Sequence, residues 1–74
     1  MKLPIVKPKE LVRVLDSMGC IEKRHTGSHK IFYYPRLQKI ISVPIHTKDI
    51  KKGLLRAIIK ELELSLEEFI VLYQ

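Results

Sequence analysis

The sequence predicts an α+β domain in which a three-stranded antiparallel sheet carries its helices on one face. Three observations predict it. Apolar residues recur at helical spacing from Lys7 to Met18 and again from Asp49 to Leu62. Between them, residues 20–43 break into short runs holding β-branched and aromatic residues, separated by turn-forming residues. The chain has 74 residues, enough for one domain and no more, so residues 1–74 are expected to form a single unit.

The first helix is expected over Lys7–Met18, with Leu11, Val12, Val14, Leu15 and Met18 forming one apolar stripe. Pro8 suits its first turn, where a missing N–H costs nothing. Gly19 is placed as a left-handed C-cap. Cys20–His25 reads as a polar strand, and Thr26-Gly27-Ser28 as a short turn in which Gly27 is free to take positive φ. His29–Tyr34 is the second strand and Lys39–Val43 the third, with Pro35 and Pro44 as stops. Asp49 is expected to cap a second helix that runs to Leu62. Leu54, Leu55, Ile58, Ile59 and Leu62 share one side of it, and Lys51, Lys52, Arg56 and Lys60 lie mostly on the other. Ser65 and Glu68 have the spacing of a capping box, which starts a short third helix burying Leu66, Phe69, Ile70 and Tyr73. The strands alternate as half-buried strands do, so one sheet face should pack on the two longer helices. In plan this is close to the double-stranded-RNA-binding domain.

Fourteen Lys and Arg oppose eight Asp and Glu, for a net charge of +6 and a pI near 9.7. The imbalance is local. Residues 1–60 hold all fourteen bases and four acids, whereas residues 61–74 hold four acids and no base. Such a domain is suited to phosphate backbones or to an acidic protein. A domain this small buries only about 60–65% of its unfolded surface, which argues for a shallow site over a deep cavity. No apolar run approaches the roughly 20 residues of a membrane span. The segment Met1 to Val6 lacks the apolar stretch of a signal peptide. The single cysteine, Cys20, offers neither an internal disulfide nor a Cys-rich zinc site. A reducing, cytoplasmic setting is expected.

The candidate chemistry lies in His25, His29 and His46. A turn centred on Gly27 would make His25 and His29 cross-strand partners, with Cβ atoms about 5 Å apart. Lys23, Arg24 and Lys30 would lie nearby. A cation beside a histidine favours the neutral ring, which acts as a general base. Such a base takes the 2′-hydroxyl proton of an RNA, and neighbouring cations offset the charge that develops on phosphate. This chemistry requires no metal. Three histidines suggest zinc only weakly, because no carboxylate or second sulfur stands at ligand spacing from them. Equally, a histidine at a strand end is often only a surface residue. Phe32 is expected in the core, and Tyr33 on the same strand face as His29 and Ile31, exposed to stack on bases. The row Lys51, Lys52, Arg56 and Lys60 either tracks phosphates or is a solvated helix face.

Several of these residues also match a family pattern. Gly27-Ser28-His29 with Phe32 resembles the Gly-Ser-His-x-x-Phe signature of HicA-type toxins. Val43-Pro44-Ile45-His46 resembles that family's Val-Pro-x-His, and Lys48 to Ile59, with Gly53-Leu54-Leu55-Arg56, resembles its Gly-Thr-Leu-Arg segment. Leu64-Ser65-Leu66-Glu67-Glu68-Phe69 is similar to the closing Leu-Ser-x-Glu-Glu-Phe, and Lys9-Glu10-Leu11 through Gly19 fits the start. Five short motifs in register cover nearly the whole chain. Two positions depart: Leu54 replaces the usual Thr, and Tyr33-Tyr34-Pro35 ends the second strand where a basic or His-containing stretch is common. Neither alters His29, and both bear on target preference.

The resemblance implies a double-stranded-RNA-binding-domain-like fold and a toxin that cleaves messenger RNA. It carries the catalytic histidine onto His29. It implies a HicB-type antitoxin that covers the active face, and oligomers formed mainly through that antitoxin. The leading expectation is therefore a metal-independent endoribonuclease without a cofactor. In it Gly27 shapes the turn, and Ser28 orients the His29 ring or binds phosphate. Lys23, Arg24, Lys30, Lys51, Lys52 and Arg56 contact the RNA backbone. His25 and His46 are candidates for a second proton-transfer group. The alternatives are a non-catalytic RNA-binding module of the same fold and an interaction domain for an acidic protein.

Overall fold

A computed structural model describes residues 2–74; Met1, the first residue of the segment read as no signal peptide, lies outside them. The chain runs α1 (Pro8–Ser17), β1 (Ile21–Thr26), β2 (His29–Tyr34), β3 (Lys39–Pro44), α2 (Lys52–Glu61) and α3 (Leu66–Tyr73). The three strands form one antiparallel sheet in the order β1-β2-β3. This is the expected α-β-β-β-α layout followed by a short C-terminal helix.

Helix α1 starts as the sequence dictates. Pro8 occupies its first position, and the Glu10 carboxylate accepts the Lys7 N–H at 2.8 Å. At its other end Gly19 takes φ +84°. The Cys20 N–H reaches back to the Leu15 carbonyl at 3.0 Å and the Gly19 N–H to Asp16 at 3.1 Å. These are the two bonds of a Schellman C-cap, which only a residue tolerant of positive φ closes without strain. The turn also drops Cys20 into the core beside Leu15.

The sheet register separates two faces. Along β2, Phe32 and Tyr34 are buried, and Phe32 stands opposite the buried Ile41 of β3. Lys30 shares that face, opposite the buried Val43. His29, Ile31 and Tyr33 point to the other face, which no helix covers. Helices α1 and α2 lie over β3, and α1 also meets α3. Strand β1 is thus left overhanging at the sheet edge, and none of its six residues is buried. A bulge at Lys23, between Glu22 and Arg24, interrupts its ladder.

Helix α2 begins later than expected, and Asp49 is not its cap. The N-cap is Lys51, without a side-chain cap bond. The reason lies at Ile50. This residue is buried, and its N–H donates to the Val6 carbonyl at 2.8 Å. Core packing therefore holds Asp49 and Ile50 out of the helix. At the far end Glu63 takes φ +55° and repeats the Schellman geometry, with Leu64 N–H on Ile59 at 3.1 Å and Glu63 N–H on Lys60 at 2.9 Å. Here the left-handed residue is not glycine. Packing of Leu64 on the core and a 3.9 Å contact from the Glu63 carboxylate to Lys39 accompany it.

The expected capping box starts α3: the Ser65 hydroxyl accepts the Glu68 N–H at 3.0 Å, and Glu68 accepts the Ser65 N–H at 2.8 Å. Hydrogen bonding from the Ser65 backbone first, and from its side chain second, holds the Glu68 carboxyl below its ordinary range. Of the four α3 residues expected to be buried, Phe69 is fully so, while Leu66, Ile70 and Tyr73 are half-buried. The Tyr73 hydroxyl donates to the Ile5 carbonyl at 3.2 Å, and Arg13 donates to the Tyr73 carbonyl at 2.7 Å. The last helix is thereby tied to both the N-terminal segment and α1.

Candidate active site

The β1–β2 turn is one residue shorter than the sequence suggested, because Thr26 belongs to β1. Thr26 pairs with His29, so the loop is Gly27-Ser28 alone. His25 instead pairs with Lys30. Successive strand residues alternate in direction, so His25 points to the face opposite His29. The expected His25–His29 partnership is therefore corrected: a two-residue loop shifts the register by one. Nor does Gly27 use its freedom, since Gly19 alone among the glycines takes positive φ.

Two adjacent residues of the β3–α2 loop hold this turn. The Ile45 N–H donates to the Ser28 carbonyl at 3.0 Å, and His46 Nε2 lies 2.6 Å from the Gly27 carbonyl oxygen. A carbonyl only accepts, so His46 Nε2 carries the hydrogen. On the turn itself the Ser28 hydroxyl lies 2.9 Å from His29 Nδ1. That contact orients the ring, and His29 Nε2 has no hydrogen-bond partner among the described residues.

His29 borders an open cleft of about 400 Å³, lined by Ser28, His29, Pro44, His46, Thr47, Asp49, Lys51 and Leu54. The fold thus brings Ser28, His29, His46 and Lys51 together from three places in the sequence. The shallowness matches what so small a domain permits. Thr47 and Asp49 join the cleft unforeseen. Asp49 was read as a cap, and the sign that it is not one is Ile50, an apolar residue where a helix start would be exposed. Leu54, at the position where the resemblance noted a departure from Thr, gives the cleft an apolar wall.

The other basic residues divide. Lys23 lies over the Tyr33 ring, 5.7 Å from its centre, and Arg24 pairs with Ile31, both on the open sheet face. Lys52 is exposed at the start of α2. Lys30 is on the helix side, 3.5 Å from the Glu22 carboxylate. Arg56 lines a separate groove of about 270 Å³ with Lys60, Leu3, Ile59, Leu64 and Leu66. Lys30 and Arg56 therefore do not join the His29 cleft. Of the aromatic residues, Tyr34 is buried and Tyr33 half-buried on the open face. Tyr33 stands in one cross-strand row with Ile21 and Ile40, which are 48% and 61% exposed, an apolar row the sequence reading did not identify.

Cys20 is buried away from this cleft, and burial, with the Asp16 carboxylate second, pushes its thiol pKa up. It is suited to packing, not to nucleophilic chemistry. Among the described residues no three His, Cys, Asp or Glu side chains gather as a metal site requires, and no helix is long and apolar enough to cross a membrane.

A sequence model of the family described as "HicA toxin of bacterial toxin-antitoxin" matches residues 8–64 of the chain. The match takes in the turn, the loop residues bonded to it and the cleft, and stops short of α3. A comparison with curated proteins returns no match.

Proposed function

The chain belongs to the HicA toxin family of bacterial toxin–antitoxin systems, and from that membership we propose that it is a metal-independent endoribonuclease that cleaves messenger RNA, with His29 as general acid and base. The observation that carries the reading is the state of the His29 ring. Its Nδ1 is engaged by Ser28, and its Nε2 is free at an open, cation-bordered cleft. With Nδ1–H donating to the Ser28 hydroxyl, Nε2 presents a lone pair.

In the proposed first step Nε2 takes the proton of a 2′-hydroxyl. The 2′-oxygen attacks the adjacent phosphorus and the bond from phosphorus to the 5′-oxygen breaks. The charged His29 ring gives that proton to the departing 5′-oxygen, and the other product ends in a 2′,3′-cyclic phosphate. In the second step water opens that ring, with acid and base roles reversed. The Lys51 charge offsets that of the phosphorane-like transition state. Lys23, Arg24 and Lys52 are the accessible backbone contacts. Lys30 and Arg56 are more remote from the cleft and weaker candidates.

A toxin of this family has an antitoxin partner. We take that partner to be of the HicB type, covering the cleft and the open sheet face and supplying the main oligomeric contacts. Residues 1–74 then act as one toxin domain in the cytoplasm.

The test is cleavage of a long single-stranded RNA in EDTA by this chain and by His29→Ala. Loss of a general acid–base group costs about 10²–10⁴-fold in rate. Cleavage by the parent, near-silence from the variant and equal RNA affinity support the reading. Equal cleavage of an RNA lacking the 2′-hydroxyl would defeat the mechanism. RNA bound by the parent but left whole would assign the chain as a binding module.

A further inference from the structure

The structure holds a second histidine in the cleft, and its bonding commits one ring nitrogen to the turn that carries His29. His46 Nε2 sits 2.6 Å from the Gly27 carbonyl oxygen, which has no hydrogen to give. The nitrogen that faces the turn is therefore a donor in both the neutral and the charged ring. Protonation of His46 leaves the bond intact, whatever the charges of Asp49 and Lys51, which line the same cleft. The next residue back adds a second strut, since the Ile45 N–H donates to the Ser28 carbonyl at 3.0 Å. Two consecutive loop residues thus grip two consecutive carbonyls of a two-residue turn.

Besides these struts, the turn is held by the exposed end of the β1–β2 ladder, where Thr26 pairs with His29. No residue of β1 is buried, a bulge interrupts the ladder at Lys23, and Gly27 and Ser28 are exposed. Within the hairpin end, the Thr26 hydroxyl gives one long bond to the His29 carbonyl at 3.3 Å. Ser28, which orients the His29 ring, rides on the same turn.

We infer that His46 is a positioning residue: it clamps the Gly27-Ser28 turn to the β3–α2 loop and so fixes Ser28 and the His29 ring at the cleft. The inference rests on the proposed role of His29 for its kinetic consequence but not for its geometry. A displacement of about 1 Å at a reacting group costs about 10²-fold in rate. Glutamine places an amide N–H at nearly the reach of His Nε2 and transfers no proton, so it separates the two roles.

The experiment compares the 74-residue parent with His46→Gln and His46→Ala, using single-stranded RNA as the kinetic probe and ¹⁵N NMR as the structural one. Expected is a fall in kcat of about 10²-fold for His46→Ala, KM within about three-fold, and recovery by His46→Gln to within about five-fold of the parent. In the parent, His46 Nε2 should report as an N–H nitrogen. Amide exchange at Ile45, whose N–H donates to the Ser28 carbonyl, and at His29 should quicken in the alanine variant and not in the glutamine one. A glutamine variant as slow as the alanine one, with unchanged exchange at the turn, would overturn the inference and make His46 a proton-transfer group. A bare Nε2 in the parent would also overturn it. Should the parent not cleave RNA, the proposed function fails, and the NMR measurements decide the clamp alone. Should His46→Ala not fold, the parent's Nε2 signal and the glutamine variant's rate carry the test.

Discussion

Along β2, Lys30, Phe32 and Tyr34 turn toward the helices, while His29, Ile31 and Tyr33 turn away. On the first face Phe32 is fully buried and Tyr34 nearly so; on the second no side chain is buried. Neighbouring residues about 3.3 Å apart along one strand thus sit in unrelated environments. The first face is held by burial against α1 and α2. The second is carried by the strand ladder, and the β1–β2 turn at its end is held by hydrogen bonds from a loop. The difference teaches that this small fold keeps its stability and its proposed chemistry on alternate residues of a single strand. A substitution on one face should therefore leave the property of the other untouched.

The largest effect that tests this separation is Phe32→Ala. Emptying a fully buried aromatic position costs about 3–5 kcal/mol. Folded domains have only about 5–15 kcal/mol in total, so a large share of the margin should go. Urea unfolding measures it, and a loss under about 1 kcal/mol would break the comparison. His29→Ala is the counterpart on the other face. RNA cleavage should fall about 10²–10⁴-fold while the unfolding free energy stays within about 0.5 kcal/mol of the parent. A large stability loss there would mean that His29 belongs to the framework.

A smaller effect sharpens the contrast between the two kinds of turn. Gly19 stands at φ +84° at the end of α1, whereas Gly27 has ordinary φ, and a Cβ at either would meet open space. Gly19→Ala should cost about 1–2 kcal/mol through backbone strain alone. Gly27→Ala should change stability by less than about 0.5 kcal/mol. Equal costs in thermal unfolding would show that the hairpin turn is strained as well.

The smallest expected effect is at α3, whose start, like the hairpin end, is held by exposed hydrogen bonds. Ser65 holds the Glu68 carboxyl below its ordinary range. A lowered folded value stabilises the protein above the ordinary glutamate value of about 4.3, and that contribution fades as pH falls through the folded value. Glu68→Gln should flatten the acid side of a plot of urea midpoint against pH and leave its alkaline side unchanged.

Much of this was legible in the sequence because it depends on near neighbours. The α1 stripe with Pro8 and Gly19, the Ser65–Glu68 capping box and the buried alternation of Phe32 with Tyr34 are all local patterns. The motif residues Gly27, Ser28, His29 and His46 were visible too, as was the side of the strand that His29 shares with Tyr33. The hairpin register was not. A loop of two residues and one of three look alike in Thr26-Gly27-Ser28, and one residue reverses the direction of every side chain, which put His25 on the wrong face. The start of α2 was misread for a related reason: Asp49 has the chemistry of a cap, but burial of Ile50 and its bond to Val6 outrank local preference.

By itself, then, the sequence determined the order of the elements, the faces they bury and the residues able to carry chemistry. These follow from periodicity, capping and side-chain type, all properties of a few adjacent residues. Only the tertiary structure decided which of the three histidines share a cleft, that Lys51 joins it and Lys30 and Arg56 do not, and that His46 donates to the turn bearing His29. Those outcomes depend on contacts across 19 residues of chain, as between Gly27 and His46. Strand register and core packing set such contacts, and a linear pattern does not encode them.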